Sequence, residues 1–535
     1  MKHKPLLRIA LAGAVLSAAA LFSPGPAAAE PAAPPPGVVP APAVVQTTPN
    51  VRHLLTPATA VFVPARPAEA REVGGYLADL LRPATGYPIP VLPAPPIGGP
   101  PPGISLLLSG ADPRVGREGY QLDVTAQRIV IRATTPAGLF AGVQTLRQLL
   151  PADIERRTRR PHATWAVPGV RIVDFPRYEH RGAMLDVARH FFPVRDVQRF
   201  IDQIALYKIN TLHLHLTDDQ GWRLEIKGWP KLTRIGGATS AGGGPGGYYT
   251  QADYRAIVEY ARRRFITVIP EIDGPAHSNA ALASYAELNC DGVANPPYID
   301  IGPAPDGHLC VGKPRTYEFL DQVIGQLAAL TPGPYLHIGG DEAYGMPAED
   351  YAAYMRKVER IVARHGKKLL GWGAALTATT PAASTGQFWV YDGTEERLAQ
   401  VTHEGAKVVM SPCVFTYLDM KYAANVPPDP LGLQWAGFIE VADAYGWDPT
   451  WVLPGVNDAA VLGVEAPVWS ETITNLDQLE LMTFPRLPAV AEIGWSPLET
   501  HDLSAFVARL AQHGPRWDAM GVDYHRSPQV PWPAG

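Results

Sequence analysis

Leu336, His337, Ile338, Gly339, Gly340, Asp341 and Glu342 form a short apolar run that ends in two glycines and two adjacent carboxylic acids. Glycine permits a tight backbone bend where a side chain would clash. The two acids therefore stand where a strand stops and a loop begins. In a barrel of parallel strands, that end of every strand opens into one pocket, and reactive groups collect there.

Working outward, the chain beyond Arg171 alternates apolar strand-like segments with amphipathic helical stretches, the pattern of parallel β/α units. Eight candidate strands lie at 182–187, 211–216, 266–271, 335–339, 368–372, 387–391, 407–410 and 461–468. Helical stretches at 194–207, 251–264, 316–329 and 348–365 fall between them. The fold class expected is α/β, a (β/α)8 TIM barrel forming a catalytic domain over residues 171–535. The alternative is an open doubly wound sheet, which carries a glycine-rich nucleotide turn after its first strand. The Gly-rich segment 236–247 follows the second strand and lacks the strand-to-helix context of a phosphate loop. It is expected to form a flexible loop over the barrel mouth, with Thr250 and Asp253 capping the next helix.

Residues 50–170 read as a small α+β accessory domain, with strands at 61–63, 105–108, 120–124 and 128–131 and a helix at 138–150. This domain has no clustered acids, metal-ligand spacing or phosphate loop, which gives it a supporting role. Residues 31–42 contain only Pro, Ala, Val and Gly, so 30–49 is expected to be an extended linker. Residues 1–29 carry Lys2 and Lys4, an apolar stretch from Leu6 to Phe22, and Ala27, Ala28 and Ala29, the marks of a signal peptide cleaved after Ala29. Pro24 and Pro26 argue against a retained anchor, and no later segment is long and apolar enough to span a bilayer. The expectation is a secreted protein with no membrane association after cleavage.

A formal charge of −5 on 535 residues gives no electrostatic reason for nucleic acid or an anionic membrane as partner, and points to neutral substrates. Three cysteines are too few for a disulfide scaffold. Cys290 and Cys310 bracket a Gly/Pro/Asn-rich loop and are the expected pair in an oxidising compartment, which leaves Cys413 as a buried spectator.

Polar and aromatic residues gather at successive strand ends: Arg181 and Asp186; His213, His215, Asp218, Asp219 and Trp222; Glu271, Asp273 and His277; Asp341 and Glu342; Trp372; Trp389; Tyr417 and Asp419; Trp469 and Glu471. Carboxylates interleaved with tryptophans suit a sugar, because indole faces pack on a pyranose and acids accept from its hydroxyls. His213 and His215 read as buried, hydrogen-bonded barrel residues, since no coherent third metal ligand lies near them in sequence. No metal or other cofactor is expected. Adjacent acids are badly placed to flank one glycosidic bond from opposite faces, where glycosidase carboxyls usually stand roughly 5 Å or 6.5–9.5 Å apart. One solution is a single general acid, with the nucleophile supplied by the substrate.

His337 to Glu342 (HIGGDE), Leu212 to Trp222 (LHLHLTDDQGW), Pro270 to His277 (PEIDGPAH) and Val468 to Glu471 (VWSE) together resemble glycoside hydrolase family 20, the β-N-acetylhexosaminidases. The resemblance implies that the substrate's 2-acetamido carbonyl attacks the anomeric carbon to give an oxazolinium ion, with Glu342 as general acid and then base. Asp341 would orient the acetamido N–H and face the positive charge that forms. The resemblance also places Tyr417 on the acetamido oxygen and Trp372, Trp389 and Trp469 in the walls of its pocket. Arg181, Asp419 and Glu471 would hold sugar hydroxyls, and Trp447 would lie near the leaving group. His277 and Asp218 would form a chain with Glu342 that keeps the acid protonated near neutral pH, with Asp273 beside them. The family's accessory domain is sometimes likened to zinc proteases, but this chain has no H-E-x-x-H.

The function implied is a secreted exo-enzyme that removes terminal β-linked GlcNAc or GalNAc with retention from N-acetylhexosamine-terminated oligosaccharides or glycoconjugates. The alternatives are a related lacto-N-biosidase or chitobiose-releasing glycosidase, and an inactive sugar-binding protein on the same fold. A chitinase of the other substrate-assisted family would show a D-x-x-D-x-D-x-E strand end, which is absent.

Overall fold

The computed structural model describes residues 37–95 and 99–533. The signal-peptide reading of 1–29 lies outside the described residues. Among those described, no helix is long and apolar enough to cross a membrane.

The N-terminal domain contains β1 (Val44–Leu54), β2 (Val61–Val63), α1 (Ala68–Thr85), β3 (Val91–Pro93), β4 (Gly103–Leu107), β5 (Tyr120–Val124), β6 (Arg128–Ala133), α2 (Pro136–Leu149) and β7 (Ala166–Asp174). Its seven strands form one sheet in the order β1-β7-β5-β6-β4-β2-β3, and both helices pack on it. Val73, Leu77 and Leu81 give α1 a buried stripe at four-residue spacing. All four strands and the helix expected from the sequence are present. The sheet runs past residue 170, because β7 continues to Asp174 between β1 and β5.

The linker reading of 30–49 fails for residues 37–49. Val38 and Val39 are fully buried, and β1 begins at Val44. The Val39 amide donates to Gln148 of α2 at 2.8 Å, and the Ala41 amide donates to Glu492, in the barrel domain, at 2.9 Å. The backbone amides of a proline-rich segment find side-chain acceptors here instead of a ladder, and the two valines fill the domain junction. Each buried valine is worth roughly 1.5–3 kcal/mol. Deleting residues 37–43 is accordingly expected to lower Tm by roughly 5 °C or more, read by scanning calorimetry; a free tether would leave Tm unchanged.

The second domain is a closed barrel of β8 (His180–Asp186), β9 (Thr211–His215), β10 (Thr267–Glu271), β11 (Tyr335–His337), β12 (Lys368–Trp372), β13 (Ser384–Phe388), β14 (Lys407–Met410) and β15 (Val461–Val468). All eight expected strands are found, although β8 starts two residues and β13 three residues before the positions read from sequence. Helices α3 (Val194–Leu206) and α4 (Gln251–Arg262) follow β8 and β9, and Thr250 and Asp253 close a capping box on α4. Asp186, His215, Glu271 and His337 are register neighbours across four adjacent strands, so they share one layer near the strands' C-terminal ends.

The Gly-rich segment 236–247 is packed, which corrects its reading as a flexible loop. It wraps the fully buried Arg223 side chain, which donates to the carbonyls of Gly237, Thr239 and Gly247 at 3.3, 2.8 and 3.2 Å. A guanidinium with five N–H donors serves several carbonyls at once, and the Gly237 carbonyl also accepts from the Gly247 amide at 2.9 Å. Cys290 and Cys310 are joined, with their sulfurs 2.02 Å apart, and Cys413 is free and buried. The clamped loop docks beside the end of β10: the Ala304 amide donates to Asp219 at 2.7 Å and the Ser278 amide to the Gly307 carbonyl at 3.0 Å.

Candidate active site

β11 ends at His337, and the chain then turns through Gly339 and Gly340 at φ +66° and +97°. A Cβ on Gly339 would stand 1.5 Å from Asp273 Oδ1, which is itself 3.3 Å from the Gly340 amide. Both glycines are thus required by backbone angle, and Gly339 by contact as well. The turn delivers Asp341 and Glu342 to the barrel mouth, with Glu342 at φ +49° and His277, on the loop after β10, at φ +50°. Left-handed backbone at two non-glycine residues in contact is local strain of the sort that active sites hold. Gly339→Ala is expected to abolish most activity and to cost roughly 1–3 kcal/mol of stability. Chemical denaturation and an initial-rate assay on the same sample would check both effects.

The expected chain behind the acid is present. His277 Nε2 lies 3.4 Å from Glu342 Oε2 and 3.8 Å from Asp341 Oδ2, and His277 Nδ1 lies 3.3 Å from Asp218 Oδ1. Asp218 is also held by Arg189 at 2.7 Å and His215 at 2.9 Å. Burial disfavours the His277 cation, but Asp218, Glu342 and Asp341 outweigh it and raise its pKa well above the usual 6.5.

The protonation of the acid pair differs from the expectation. Burial pushes Glu342 up, but its hydrogen bond with His277 and the charge on that ring outweigh burial and leave it below the ordinary glutamate value. Asp341 is pushed up to about 7, chiefly by burial, against the pull of His277 and with a further push from the Glu342 charge. The proton expected on Glu342 is thus held by His277, and the neighbouring Asp341 is the carboxyl raised toward neutrality. Asp273 is raised well above its usual range by burial and by Asp341.

The remaining strand ends supply an aromatic enclosure. Trp372 meets Trp469 at 5.6 Å and Trp389 at 6.5 Å between ring centroids, and Tyr417 lies 6.1 Å from Trp469 and 6.3 Å from Trp389. Asp341 Oδ1, Asp419 Oδ2 and Glu471 Oε2 are buried acceptors with no hydrogen-bond donor among the described residues. Asp419 is raised well above the usual range by burial and by Glu471, which burial itself pushes up to about 7. Buried acceptors without a donor are costly. Three of them at one aromatic mouth make a site built for a ligand rich in O–H and N–H groups.

Two residues expected here lie elsewhere. Arg181 sits at the N-terminal end of β8, at the opposite end of the barrel, where it donates to the carbonyls of Tyr178 at 2.7 Å and Lys208 at 3.0 Å and pairs with Glu118 of the accessory domain. The arginine at the mouth is Arg189, on the loop after β8. It lies 3.1 Å from Asp186, 3.6 Å from Glu471 and 4.9 Å above the Trp469 ring. Trp447 is buried, stacked on Phe415 and bonded to the Ala444 carbonyl. The aromatic that reaches the enclosure is Trp435, half exposed and 6.2 Å from Trp389 and 5.9 Å from Tyr417. Tyr344, also absent from the sequence reading, donates to Glu342 Oε1 at 3.3 Å. Strand ends are the informative positions in a barrel, so Arg189 and Tyr344 were within reach of that rule. Trp435 lies in irregular chain and gives no such signal.

A large cavity of about 980 Å³ lies between the accessory domain and the N-terminal end of the barrel, lined by Arg114, Glu118, Phe175, Tyr178 and Asn210. It contains none of the residues at the mouth, and its place at a domain junction accounts for it.

Residues 178–351 and 344–498 match glycosyl hydrolase family 20, catalytic domain, and residues 35–175 match glycosyl hydrolase family 20, domain 2. The chain belongs to glycosyl hydrolase family 20. The two family matches coincide with the barrel and the accessory domain, and the barrel match makes the protein a glycoside hydrolase. A β-N-acetylhexosaminidase from Cellulomonas fimi is 42% identical over 93% of this chain and 97% of its own. The solved family 20 β-N-acetylhexosaminidase from Streptomyces coelicolor A3(2) is 52% identical, covers 93% of this chain and 98% of its own, and superposes with a TM-score of 0.88. The N-acetyl-β-hexosaminidase from Streptomyces plicatus, solved with Thio-NAglucal, is also 52% identical, with a TM-score of 0.88 over 93% of this chain and 97% of its own.

Proposed function

We propose that this family 20 hydrolase is an exo-acting β-N-acetylhexosaminidase that releases terminal β-linked GlcNAc or GalNAc with retention, using the substrate's acetamido group as nucleophile. One observation carries the reading: Asp341 offers a buried oxygen with no donor among the described residues, next to an aromatic enclosure formed by Trp372, Trp389, Trp469 and Tyr417. An amide N–H matches the oxygen, and an acetamido methyl matches the rings. The related S. plicatus enzyme solved with GlcNAc as product, 51% identical, supports the same sugar.

In the first step the acetamido oxygen attacks C1, and Glu342 gives its proton to the departing oxygen. In the second, Glu342 takes a proton from water as that water attacks C1 and the oxazolinium ring opens. A sugar in the site would cover Glu342, whose side chain is 24% exposed. Burial raises a carboxyl's proton affinity, so filling the site moves the proton of the His277–Glu342 pair onto Glu342, where the leaving group needs it. The Asp341 carboxylate faces the charge of the ring that forms, and Tyr417 supports the acetamido oxygen. Arg189, Asp419 and Glu471 hold the hydroxyls of the terminal sugar. Export after cleavage at Ala29 fits the Cys290–Cys310 bridge, which an oxidising compartment preserves.

Aryl β-GlcNAc, β-GalNAc and β-glucoside substrates test the mechanism. The acetamido sugars are expected to turn over at least roughly a thousandfold faster than the glucoside, because a tethered nucleophile is worth a large effective concentration. Comparable glucoside turnover would overturn the reading.

A further inference from the structure

Glu271 ends β10 beneath the acid pair, fully buried, and takes no part in the steps above. Its Oε2 lies 2.5 Å from His215 Nδ1, while its Oε1 lies 2.9 Å from His337 Nδ1 and accepts from the Trp372 indole N–H at 2.9 Å. His215 in turn bonds Asp218 through Nε2 at 2.9 Å, and Asp218 faces His277. One carboxylate therefore reaches three parts of the site at once: the chain behind the acid, the strand that leads into Gly339 and Gly340, and a wall of the aromatic enclosure.

We propose that Glu271 is a positioning residue for the hydrolytic reaction: it fixes the ring state of His215, and through His215 and Asp218 the proton held between His277 and Glu342, while it anchors the Trp372 wall. This rests on the function proposed above and extends it one layer inward.

His215 has carboxylates on both ring nitrogens, so both must be N–H donors and the ring is a cation. Glu271 supplies half of the negative charge that keeps it so. A neutral amide at 271 leaves a neutral imidazole, with a proton on only one nitrogen. Asp218 then faces a neutral ring where a cation stood, and its proton affinity rises. Several groups face Glu271. His213 and His215 come from β9, His337 from β11, Asp273 follows on its own chain, and Asp218 and Asp341 lie above it. Burial raises Glu271, but the three imidazoles outweigh it and keep the group ionised. The Glu271 charge raises Asp273 and Asp341, so its removal lowers proton affinity at those sites. The two effects oppose each other: Asp218 gains proton affinity while Asp273 and Asp341 lose it, which redistributes the proton along the chain.

The test is Glu271→Gln in the full chain, beside Glu342→Gln, with pH profiles of kcat and kcat/KM on aryl β-GlcNAc and a melting curve for each. Glu271→Gln is expected to lower kcat by roughly tenfold or more and to displace the basic limb of the kcat/KM profile by about one pH unit. His215→Gln, which removes the cation beside Asp218 but leaves the Glu271 charge in place, is expected to move that limb up, and it decides the matter should Glu271→Gln not accumulate folded. A folded Glu271→Gln or His215→Gln protein with a wild-type pH profile and kcat overturns the proposal and leaves Glu271 as core packing. If Glu342→Gln itself retains full activity, the reading of the acid has failed instead, which separates the two.

Discussion

Glu342→Gln is expected to lower kcat on aryl β-GlcNAc substrates with poor leaving groups by on the order of 10²–10⁴-fold, the usual contribution of a general acid. The loss should shrink as the leaving group becomes a better one, since a stable phenolate departs without a proton. Binding should change little, because the amide keeps the size of the carboxyl. The geometry adds a second readout. His277 holds its proton against Asp218 as well as Glu342, so the variant should keep a His277 cation with weakened support and lose the proton at a lower pH than the parent. A plot of log kcat against leaving-group pKa, steeper for the variant than for the parent, is the measurement; parallel lines would remove Glu342 from the proton-transfer step.

Asp341→Asn has the other large effect. Removing a preorganised charge opposite a developing one typically costs about 10²–10³ in kcat, and the amide offers an N–H where the acetamido group needs an acceptor. Stability should move the other way. Asp341 is raised from the ordinary 3.8 to about 7, first by burial and then by Glu342 against the pull of His277. Between those values the unfolded chain is ionised while the native site still holds its proton, so native stability falls as pH rises from about 4 to about 7. Asparagine does not ionise. The variant is therefore expected to melt above the parent at pH 8, with the gap closing as pH falls toward 4. A variant that is less active and more stable marks a residue held in place for function. Equal melting temperatures at both pH values would mean that Asp341 bears no such strain.

The barrel was legible because apolar runs of strand length recur between amphipathic stretches, and because the acids follow two glycines that only a turn requires. What the sequence could not convey was register. Arg181 and Arg189 are the same residue type, one near the start of β8 and one just past its end, and the strand begins at His180, two residues earlier than its apolar run suggests. That shift leaves Arg181 at the closed end and Arg189 at the mouth. Trp435 and Trp447 pose a similar choice within irregular chain, where no period tells which side faces inward. β1 was missed because prolines hide it and because the groups that order the segment before it, Gln148 and Glu492, lie 109 and 451 residues away in sequence. The proton on Glu342 was misplaced for a related reason: a chain of acids and imidazoles shows its members in sequence, but the balance of burial against pairing exists only in three dimensions.

The segment from Gly37 to Ala43 has a further meaning for how the two domains come to be one object. Its amides and carbonyls are shared between α2 of the accessory domain and Glu492, Ser496 and His513 at the far end of the chain. Residues 37–43 are thus among the last to find all of their partners, since Glu492 and Ser496 are synthesised some 450 residues later. Until Glu492, Ser496 and His513 emerge, neither domain has its full boundary. Synthesis past these residues, rather than of either domain's strands alone, is the event that closes the junction.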